Sequence, residues 1–354
     1  MRDRLDVAVV APLVAPLRAA TPYGNHVLVV DLARELAARG HQVTLYCAAE
    51  SEPIDGVERV EIAVSRAARR AFVLLDPDRP PIPAMHDAFA RLFARVRRGG
   101  HDVVSQHAFD AEAIELAEGL PVLHTLHLPP FVARVVQAAR ETSAPLAVVS
   151  FAMQRAWLGA GVATTVVPNG VPDRPALRAS VRRVALVAGR ISPEKGTATA
   201  IRLARRAGLA PLVVGEPYHR AYFESSVRPQ LRGGELRAPV SRSFLGELMA
   251  RSAVTLCPIG WDEPFGLVAA EAQVAGCPVV AYRRGAMDEV VEDGVSGILV
   301  PPDDEEIFLA GIRRALGLRR AHVRASARRR LLLGPAIDAY EARLGELARS
   351  RIAA

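Results

Sequence analysis

The sequence lacks uninterrupted apolar runs of the length that spans a bilayer. No hydrophobic stretch approaches about 18 residues, so we expect no transmembrane helix. Residues 1–20 imitate a signal peptide, with basic residues ahead of an apolar run, but Asp6, Pro12 and Pro16 interrupt that run. We therefore interpret residues 5–11 as a first buried strand and expect a cytoplasmic protein.

Cysteine and aromatic residues are also scarce. The three cysteines, Cys47, Cys257 and Cys277, lie far apart, each in or beside an apolar stretch. This spacing argues against a disulfide framework or a metal site and indicates buried thiols in a reducing compartment. Aromatic residues make up 5% of the chain although half of it is hydrophobic, which is typical of a globular protein rich in Ala, Val and Leu.

The charge balance is basic, with a formal net charge of +7. Such a balance favours acidic ligands such as nucleotide phosphates, nucleic acid or an anionic membrane surface. Arg greatly outnumbers Lys, so a compositional bias of the whole proteome explains the excess at least as well as a partner does. The Arg-rich stretch 313–330 is typical of a solvated helical face and has no interleaved aromatic residue for base stacking. We therefore expect no nucleic-acid partner, while weak peripheral contact with anionic membranes stays open.

The order of apolar segments predicts an α/β protein of two domains, as the length of 354 residues also favours. In the first half, the strand at 5–11 is followed by a helix with Leu28, Leu32 and Leu36 on one face and then by another strand, which is a βαβ unit. A further helix is expected at 84–96, after a proline-rich loop. The predicted strands of this half are residues 5–11, 42–47, 59–64, 101–106, 121–126, 146–150 and 164–168.

A second set of strands begins after residue 171. It comprises residues 183–189, 211–215, 254–258, 278–282 and 297–301, with a helix at 197–207 after the first of them. We therefore predict a Rossmann-like domain at 1–168, a second at 169–335, and a C-terminal helix at 336–354 that packs on the body of the protein, with the N-terminal domain as one site for that packing. Ligands of parallel sheets bind outside the carboxyl ends of the strands, and two such crevices face to face form one deep central cleft.

The segment GRISPEKGT (189–197) follows a predicted strand and opens a helix. It places Arg190 and Lys195 at a strand-to-helix turn where backbone N–H groups converge, which favours an anion site. The order Lys-Gly-Thr differs from the Gly-Lys-Thr of a Walker loop. By itself the segment also fits a charged surface turn.

The block 261–300 carries the stronger signal. Glu263 precedes a predicted helix and Pro264 lies near its first turn, so the free N–H groups of residues 265–268 are expected to point at one anionic ligand. Gly266 permits close approach of the ligand to the backbone. Glu271, about two turns into the helix, is placed to accept hydrogen bonds from hydroxyl groups further along the ligand. Taken singly, both glutamates also fit as ordinary helix-terminal and solvent-exposed acids.

GRISPEKG together with EPFGLVAAEAQVAGCPVVAYRRGAMDEVVEDGVSGILV (263–300) resembles the donor-binding signature of the family 4 retaining glycosyltransferases of GT-B fold. LARELAARGHQVTLY (32–46), TLHLPP (125–130) and VVPNGV (166–171) resemble the family more loosely. The resemblance implies that Arg190 and Lys195 bind a donor diphosphate, Glu271 the ribose and Glu263 the transferred sugar. The backbone of Phe265, Gly266, Leu267 and Val268 would complete these contacts.

The resemblance also reaches the first half of the chain. His127, at the end of a predicted strand, matches a histidine that lies near the donor sugar in the family, although it also fits as a strand-end histidine bonded to a loop. Family members often carry a Gly-Gly pair near the phosphates in the loop after the first strand, where this chain has Gly24 and Asn25. Gly24 keeps a close backbone approach, and the role of Asn25 is left open.

The resemblance thus implies an enzyme, a hexosyltransferase, that needs no cofactor and no metal and retains the anomeric configuration. The expected donor is a UDP-hexose, ahead of GDP and dTDP sugars. The acceptor is a hydroxyl-bearing molecule such as a natural product, saccharide or lipid. Its binding is expected in loops 71–86, 105–112 and 127–135, with His107, Phe109, Phe131 and Arg134 as candidates.

The alternatives are a nucleotide-sugar epimerase or phosphorylase of the same fold, a non-enzymatic protein that binds anionic surfaces, and a Rossmann oxidoreductase. Residues 11–24 lack the G-x-G-x-x-G that the oxidoreductase requires.

Overall fold

A computed structural model describes residues 4–21, 23–71, 76–78, 80–174 and 180–352. The expected acceptor loop 71–86 lies partly outside these residues. The chain divides into two compact units. The N-terminal unit comprises Met1–Ala19, Gly24–Pro168 and Pro335–Ala354, and the C-terminal unit comprises Ala20–Tyr23 and Asn169–Gly334.

The N-terminal unit is built on a seven-stranded parallel sheet in the order β3-β2-β1-β4-β5-β6-β7. Its strands are β1 Asp6–Val10, β2 Gln42–Ala48, β3 Glu58–Ile62, β4 Val103–Gln106, β5 Val122–Leu126, β6 Leu146–Val148 and β7 Thr165–Val166. Its helices are α1 Gly24–Ala38, α2 Arg66–Ala71, α3 Pro83–Gly99, α4 Ala111–Glu115, α5 Ala133–Glu141 and α6 Phe151–Gly159.

The C-terminal unit holds a six-stranded parallel sheet in the order β10-β9-β8-β11-β12-β13. Its strands are β8 Arg182–Ala188, β9 Ala210–Val214, β10 Leu236–Arg237, β11 Ser252–Cys257, β12 Val279–Tyr282 and β13 Gly297–Val300. Its helices are α7 Thr197–Arg206, α8 Arg220–Tyr222, α9 Arg242–Arg251, α10 Leu267–Val274, α11 Met287–Val290, α12 Glu305–Ala315 and α13 Arg320–Arg330. The long helix α14, Leu333–Ile352, follows.

Each sheet is buried by helices on its faces, as parallel sheets require. In the N-terminal unit, α3 covers one face of the sheet with Phe89, Leu92 and Phe93, all fully buried. In the C-terminal unit, α7 and α12 bury Ile201 and Phe308 against the sheet in the same way. The apolar runs therefore predict the strands because both faces of each strand lie inside the protein.

The predicted α/β class and every predicted strand are confirmed, with ends that shift by at most two residues. The short strand β10 was not predicted, because its two residues are exposed and carry no apolar run. Its backbone pairs in parallel with the end of β9.

Helix α14 packs on the N-terminal unit, of which residues 335–354 are a part. Ile337, Tyr340 and Leu344 are fully buried. The Tyr340 hydroxyl lies 3.4 Å from Thr125 Oγ1, and Arg39 makes an ion pair with Glu341 at 2.6 Å. Within the described residues, no helix is both long and apolar enough to cross a membrane.

Candidate active site

Charged side chains collect at the carboxyl edge of the C-terminal sheet. Because all its strands are parallel, the segments that follow β8, β11 and β12 leave the sheet at this one edge. Arg190 comes two residues after β8, and Glu263 lies in the loop between β11 and α10. The two sequence blocks are thus brought together by the topology.

Arg190 is a buried cation with specific partners. Its side chain is only 8% exposed, and one guanidinium nitrogen lies 3.6 Å from Glu194 Oε1. The guanidinium carbon lies 5.1 Å from the centre of the Tyr218 ring, a cation–π arrangement that fixes its plane. A buried guanidinium that faces a single carboxylate at 3.6 Å is suited to a phosphate.

Tyr23 extends this aromatic arrangement. Its ring meets that of Tyr218 edge to face at 6.3 Å. Burial raises the pKa of Tyr23 to about 12, so its hydroxyl stays protonated.

Lys195 is the only lysine among the 354 residues. Its Nζ lies 2.6 Å from Glu263 Oε2 and 5.3 Å from the centre of the Trp261 ring. The Trp261 indole N–H donates to the same carboxylate oxygen at 2.7 Å. Two donors therefore hold Glu263 through Oε2, and Oε1 makes no hydrogen bond to any described residue.

The two loops that carry Lys195 and Glu263 are joined by the backbone. Gly260 N–H donates to the Glu194 carbonyl at 2.8 Å. Gly196 has φ +67°, and a Cβ on it would lie 2.1 Å from the Pro258 carbonyl oxygen, so only glycine fits there. The glycine after Lys195 thus sets the position of the lysine against the second loop.

Helix α10 begins later than the sequence indicates. Gly266 has φ +94° and serves as the N-cap, so the helix starts at Leu267 and not near Pro264. The N–H groups without an intrahelical acceptor belong to residues 266–269, and Phe265 lies outside the helix and is buried. The prediction that the first turn lies near Pro264 is therefore wrong, because Gly266 adopts a left-handed conformation and the helix begins only at Leu267.

Glu271 lies just over one turn into α10, where we had predicted about two turns. Its Oε1 accepts a hydrogen bond from Arg242 Nε, and both side chains are about five-sixths buried. Arg242 is the first residue of α9 and lies outside both sequence blocks, so no motif pointed to it. Trp261 and Tyr218 were likewise missed, because a single aromatic residue in a loop gives no pattern.

The N-terminus of α7 supplies fewer free donors than expected. Ala198 N–H donates to the Tyr222 hydroxyl at 2.9 Å, and Lys195 N–H and Gly196 N–H close the short 3₁₀ turn Pro193–Lys195. The groups of this segment that are chemically suited to an anion are therefore mainly the side chains of Arg190 and Lys195.

His127 lies in the other unit, at the carboxyl end of β5. Its Nε2 is 3.0 Å from His107 Nδ1, and the two rings stack with centres 5.3 Å apart. Burial, with a smaller contribution from the charge of His26, lowers the pKa of His127 to about 3, so the ring is neutral in ordinary buffers. Gly24 and Asn25 open α1, and Asn25 Oδ1 accepts from the N–H of His26.

The acceptor candidates are more deeply buried than surface-loop positions suggest. His107 is fully buried and Phe109 is 3% exposed. Phe109 stacks on Phe131 with ring centres 6.0 Å apart, and Arg134 Nη1 donates to Glu112 at 2.9 Å. His107 thus has no surface for an acceptor, while Phe131 and Arg134 are partly exposed. The described residues contain no group of three or more His, Cys, Asp or Glu side chains arranged to hold a metal ion.

Comparison with known proteins places this chain in a family. The family pattern described as "Glycosyl transferases group 1" matches residues 173–330, and "Glycosyltransferase Family 4" matches residues 24–174. A D-inositol 3-phosphate glycosyltransferase of Geodermatophilus obscurus is 30% identical over 86% of this chain and 80% of its own length. The chain belongs to glycosyltransferase family 4. It is therefore an enzyme, a glycosyltransferase, as the resemblance of residues 189–196 and 263–300 implies.

Solved structures agree on the fold. HepE of Anabaena, in complex with UDP-glucose, superposes with a TM-score of 0.73 at 17% identity over 99% of this chain and 100% of its own. Sucrose-phosphate synthase of Thermosynechococcus elongatus gives 0.67 at 19% identity over 98% and 97%. The two parallel sheets and this likeness confirm the predicted GT-B fold of this family 4 glycosyltransferase.

Proposed function

We propose that this glycosyltransferase transfers a hexose from a UDP-hexose to an acceptor hydroxyl, with retention at the anomeric carbon and without a divalent metal. One observation carries the proposal. A lone lysine, a buried arginine and a carboxylate with one unengaged oxygen lie at the carboxyl edge of the C-terminal sheet, beside the N-terminus of α10.

The diphosphate is bound by Arg190, Lys195 and the first-turn N–H groups of α10. Negative charge grows on the leaving diphosphate as the glycosidic bond breaks, so fixed cations and N–H donors stabilise the transition state more than the ground state. This removes the need for a metal. Loss of one such donor costs on the order of 100-fold in rate.

The two glutamates bind the hydroxyl groups of the donor. Glu263 holds Lys195 and Trp261 through Oε2 and accepts from a sugar hydroxyl through Oε1. Glu271 accepts from the ribose hydroxyls while Arg242 neutralises its charge. The backbone of Gly266, Leu267 and Val268 completes the contacts.

Family resemblance supports retention and the choice of donor. In a retaining displacement the acceptor attacks from the face that the diphosphate leaves, and the leaving phosphate helps to remove the proton of the acceptor hydroxyl. On the family resemblance, we assign His127 to a hydroxyl of the substrate, and Gly24 and Asn25 to the phosphates of the donor. The UDP and UDP-glucose complexes of HepE make UDP-glucose the first donor to test.

The acceptor carries a free hydroxyl group. Several relatives are named for D-inositol 3-phosphate, which makes this compound the first acceptor to assay. Phe131 and Arg134 are the residues of the N-terminal unit that we assign to it. Release of UDP in proportion to added acceptor identifies transfer and rules out epimerisation.

The single lysine provides a direct test of the donor site. Reductive methylation with ¹³C-formaldehyde labels Lys195 and otherwise only the N-terminus. UDP and UDP-glucose are expected to shift the Lys195 resonance, and uridine is expected to leave it in place, because the contact is with the diphosphate. A Lys195 resonance that does not shift when UDP is added would refute the assignment of Lys195 to the diphosphate.

Mutation tests the same site by turnover. Lys195→Ala and Glu271→Ala are expected to lower kcat/KM by about 100-fold or more with the fold intact. The matched control is Arg205→Ala, which breaks an ion pair with Glu235 that is also 2.6 Å long and lies in the same unit. The control is expected to keep near-normal turnover, and near-normal turnover in either site variant would contradict the proposal.

A further inference from the structure

A line of three buried polar side chains ends at His127. Ser105 lies in β4, His107 follows that strand, and His127 follows β5. Ser105 and His107 are fully buried, and His127 is 6% exposed. Side chains two residues apart share a sheet face, so Ser105 and His107 lie on one face, where helix α14 brings the Tyr340 ring within 5.8 Å of His107.

The hydrogen bonds of this line form an unbranched chain. Ser105 Oγ lies 2.8 Å from His107 Nε2, and His107 Nδ1 lies 3.0 Å from His127 Nε2. Both nitrogens of His107 are thus used. His127 Nδ1 has no hydrogen-bond partner within the described residues, and it is not among the buried atoms that lack one, so it is the nitrogen that a ligand can reach.

The direction in which these hydrogen bonds donate follows from the buried Ser105 hydroxyl at one end of the line. Among the residues that the structure describes, the Ser105 hydroxyl has one hydrogen-bond partner, His107, and the side chain is fully buried. If His107 donated to it, the Ser105 O–H would be buried without an acceptor. If Ser105 donates, only oxygen lone pairs go unused, which costs less than an unpaired donor.

We infer that Ser105 and His107 are positioning residues that hold His127 in the Nδ1–H tautomer, so that His127 presents a neutral N–H donor to the substrate. Ser105 O–H donates to His107 Nε2. His107 therefore carries its proton on Nδ1 and donates to His127 Nε2. His127 in turn carries its proton on Nδ1, the accessible nitrogen.

The surroundings of His107 and His127 keep both imidazole rings neutral. The proposed direction of the hydrogen bonds requires neutral rings. Burial lowers the pKa of His107 and of His127, and the buried His26 on α1 adds to the effect at His127. Tyr340 on α14 is itself protonated, because burial raises its pKa. A protonated imidazole at either position would donate from both nitrogens, and the hydrogen bonds would no longer all donate in the direction from Ser105 to His127.

This assignment has a chemical consequence that rests on the proposed function. An imidazole with Nδ1–H outward and Nε2 occupied donates a hydrogen bond to a substrate oxygen and does not accept a proton from an acceptor hydroxyl. His127 is then a binding donor and not the general base. The leaving phosphate remains the group that takes that proton.

The tautomer is measured without reference to activity. In the ¹⁵N-histidine protein, long-range ¹H–¹⁵N correlation distinguishes a protonated ring nitrogen from an unprotonated one, and the nine histidines are assigned by single substitutions. We expect protonated Nδ1 and unprotonated Nε2 in both His107 and His127, the form that free histidine disfavours. Protonated Nε2 in His127 of the wild-type protein would overturn the inference.

Variants of His107 test the positioning role. His107→Leu removes the donor to His127 and is expected to populate the Nε2–H form of His127 and lower kcat/KM for the donor sugar by about 10-fold, with KM rising more than kcat falls. His107→Asn keeps an N–H near the position of Nδ1 and is expected to recover much of the loss. Ser105→Thr keeps the hydroxyl and is expected to leave the tautomer unchanged.

His124→Leu is the matched control. His124 lies in β5 and is fully buried, but neither of its ring nitrogens takes part in a hydrogen bond with the described residues. Its substitution is expected to leave the His127 tautomer and the kinetics unchanged. Normal kinetics in His107→Leu would overturn the donor role of His127, whereas absence of transfer by the wild-type protein would contradict the proposed function and leave the tautomer assignment testable.

Discussion

The buried His124 ring makes a quantitative prediction about acid stability. Both of its nitrogens are buried without a hydrogen bond to any described residue, and burial lowers its pKa from 6.5 to about 4. Between these two values the unfolded chain binds a proton at His124 that the folded chain does not bind. The free energy of unfolding therefore falls as the pH decreases from 6.5 towards 4.

The size of the effect follows from the two pKa values. Lowering the pH from 7.5 to 5.5 is expected to cost about 1.3 kcal/mol through His124 alone, out of a total of about 3 kcal/mol at still lower pH. His124→Leu removes this contribution. At pH 7.5 the variant is expected to be at least as stable as the wild type, because it removes two buried polar atoms that lack partners.

The two tryptophans allow the N-terminal unit to be followed alone. Trp157 is buried in that unit and Trp261 lies in the other. In a Trp261→Phe background, urea unfolding followed by Trp157 fluorescence at pH 7.5 and 5.5 gives the pH dependence with and without His124. The matched control is His86→Leu, whose side chain is half exposed. Equal pH dependence in wild type and His124→Leu would refute the reasoning.

Further predictions concern the donor site. Arg242→Ala leaves the Glu271 carboxylate without its buried partner and is expected to raise KM for the donor sugar about 10-fold, whereas Arg228→Ala, which breaks an exposed pair with Glu224, is expected to leave KM unchanged in the same assay. Lys195→Arg is expected to recover little of the activity lost in Lys195→Ala, because a planar guanidinium does not replace a compact ammonium between the Glu263 carboxylate and the Trp261 ring. EDTA is expected to leave the initial rate unchanged, and a rate restored by added Mg²⁺ would contradict the metal-independent mechanism.

The sequence predicts the strands well and the details of the site less well. The apolar residues of strands such as β1 and β12 are buried on both faces of the sheet, so an apolar run predicts each strand directly. The start of α10 depends on one backbone angle at Gly266, which sequence spacing does not reveal. Arg242 reaches Glu271 from another helix, and this contact exists only once β11 and its flanking helices have packed.

The composition of the chain sharpens the argument for Lys195. The remaining 44 of its 45 basic residues are arginine, so any position where the two residues serve equally well is occupied by arginine. The exception is the residue whose ammonium lies 2.6 Å from Glu263, beside an aromatic ring and a helix N-terminus. Arginine occupies every other basic position, and lysine occurs only at the position where the site needs a small, flexible cation. A lysine is required at this position if Nζ must move between the Glu263 carboxylate and a phosphate oxygen. The four methylene groups of lysine permit this movement, and the planar guanidinium of an arginine hinders it.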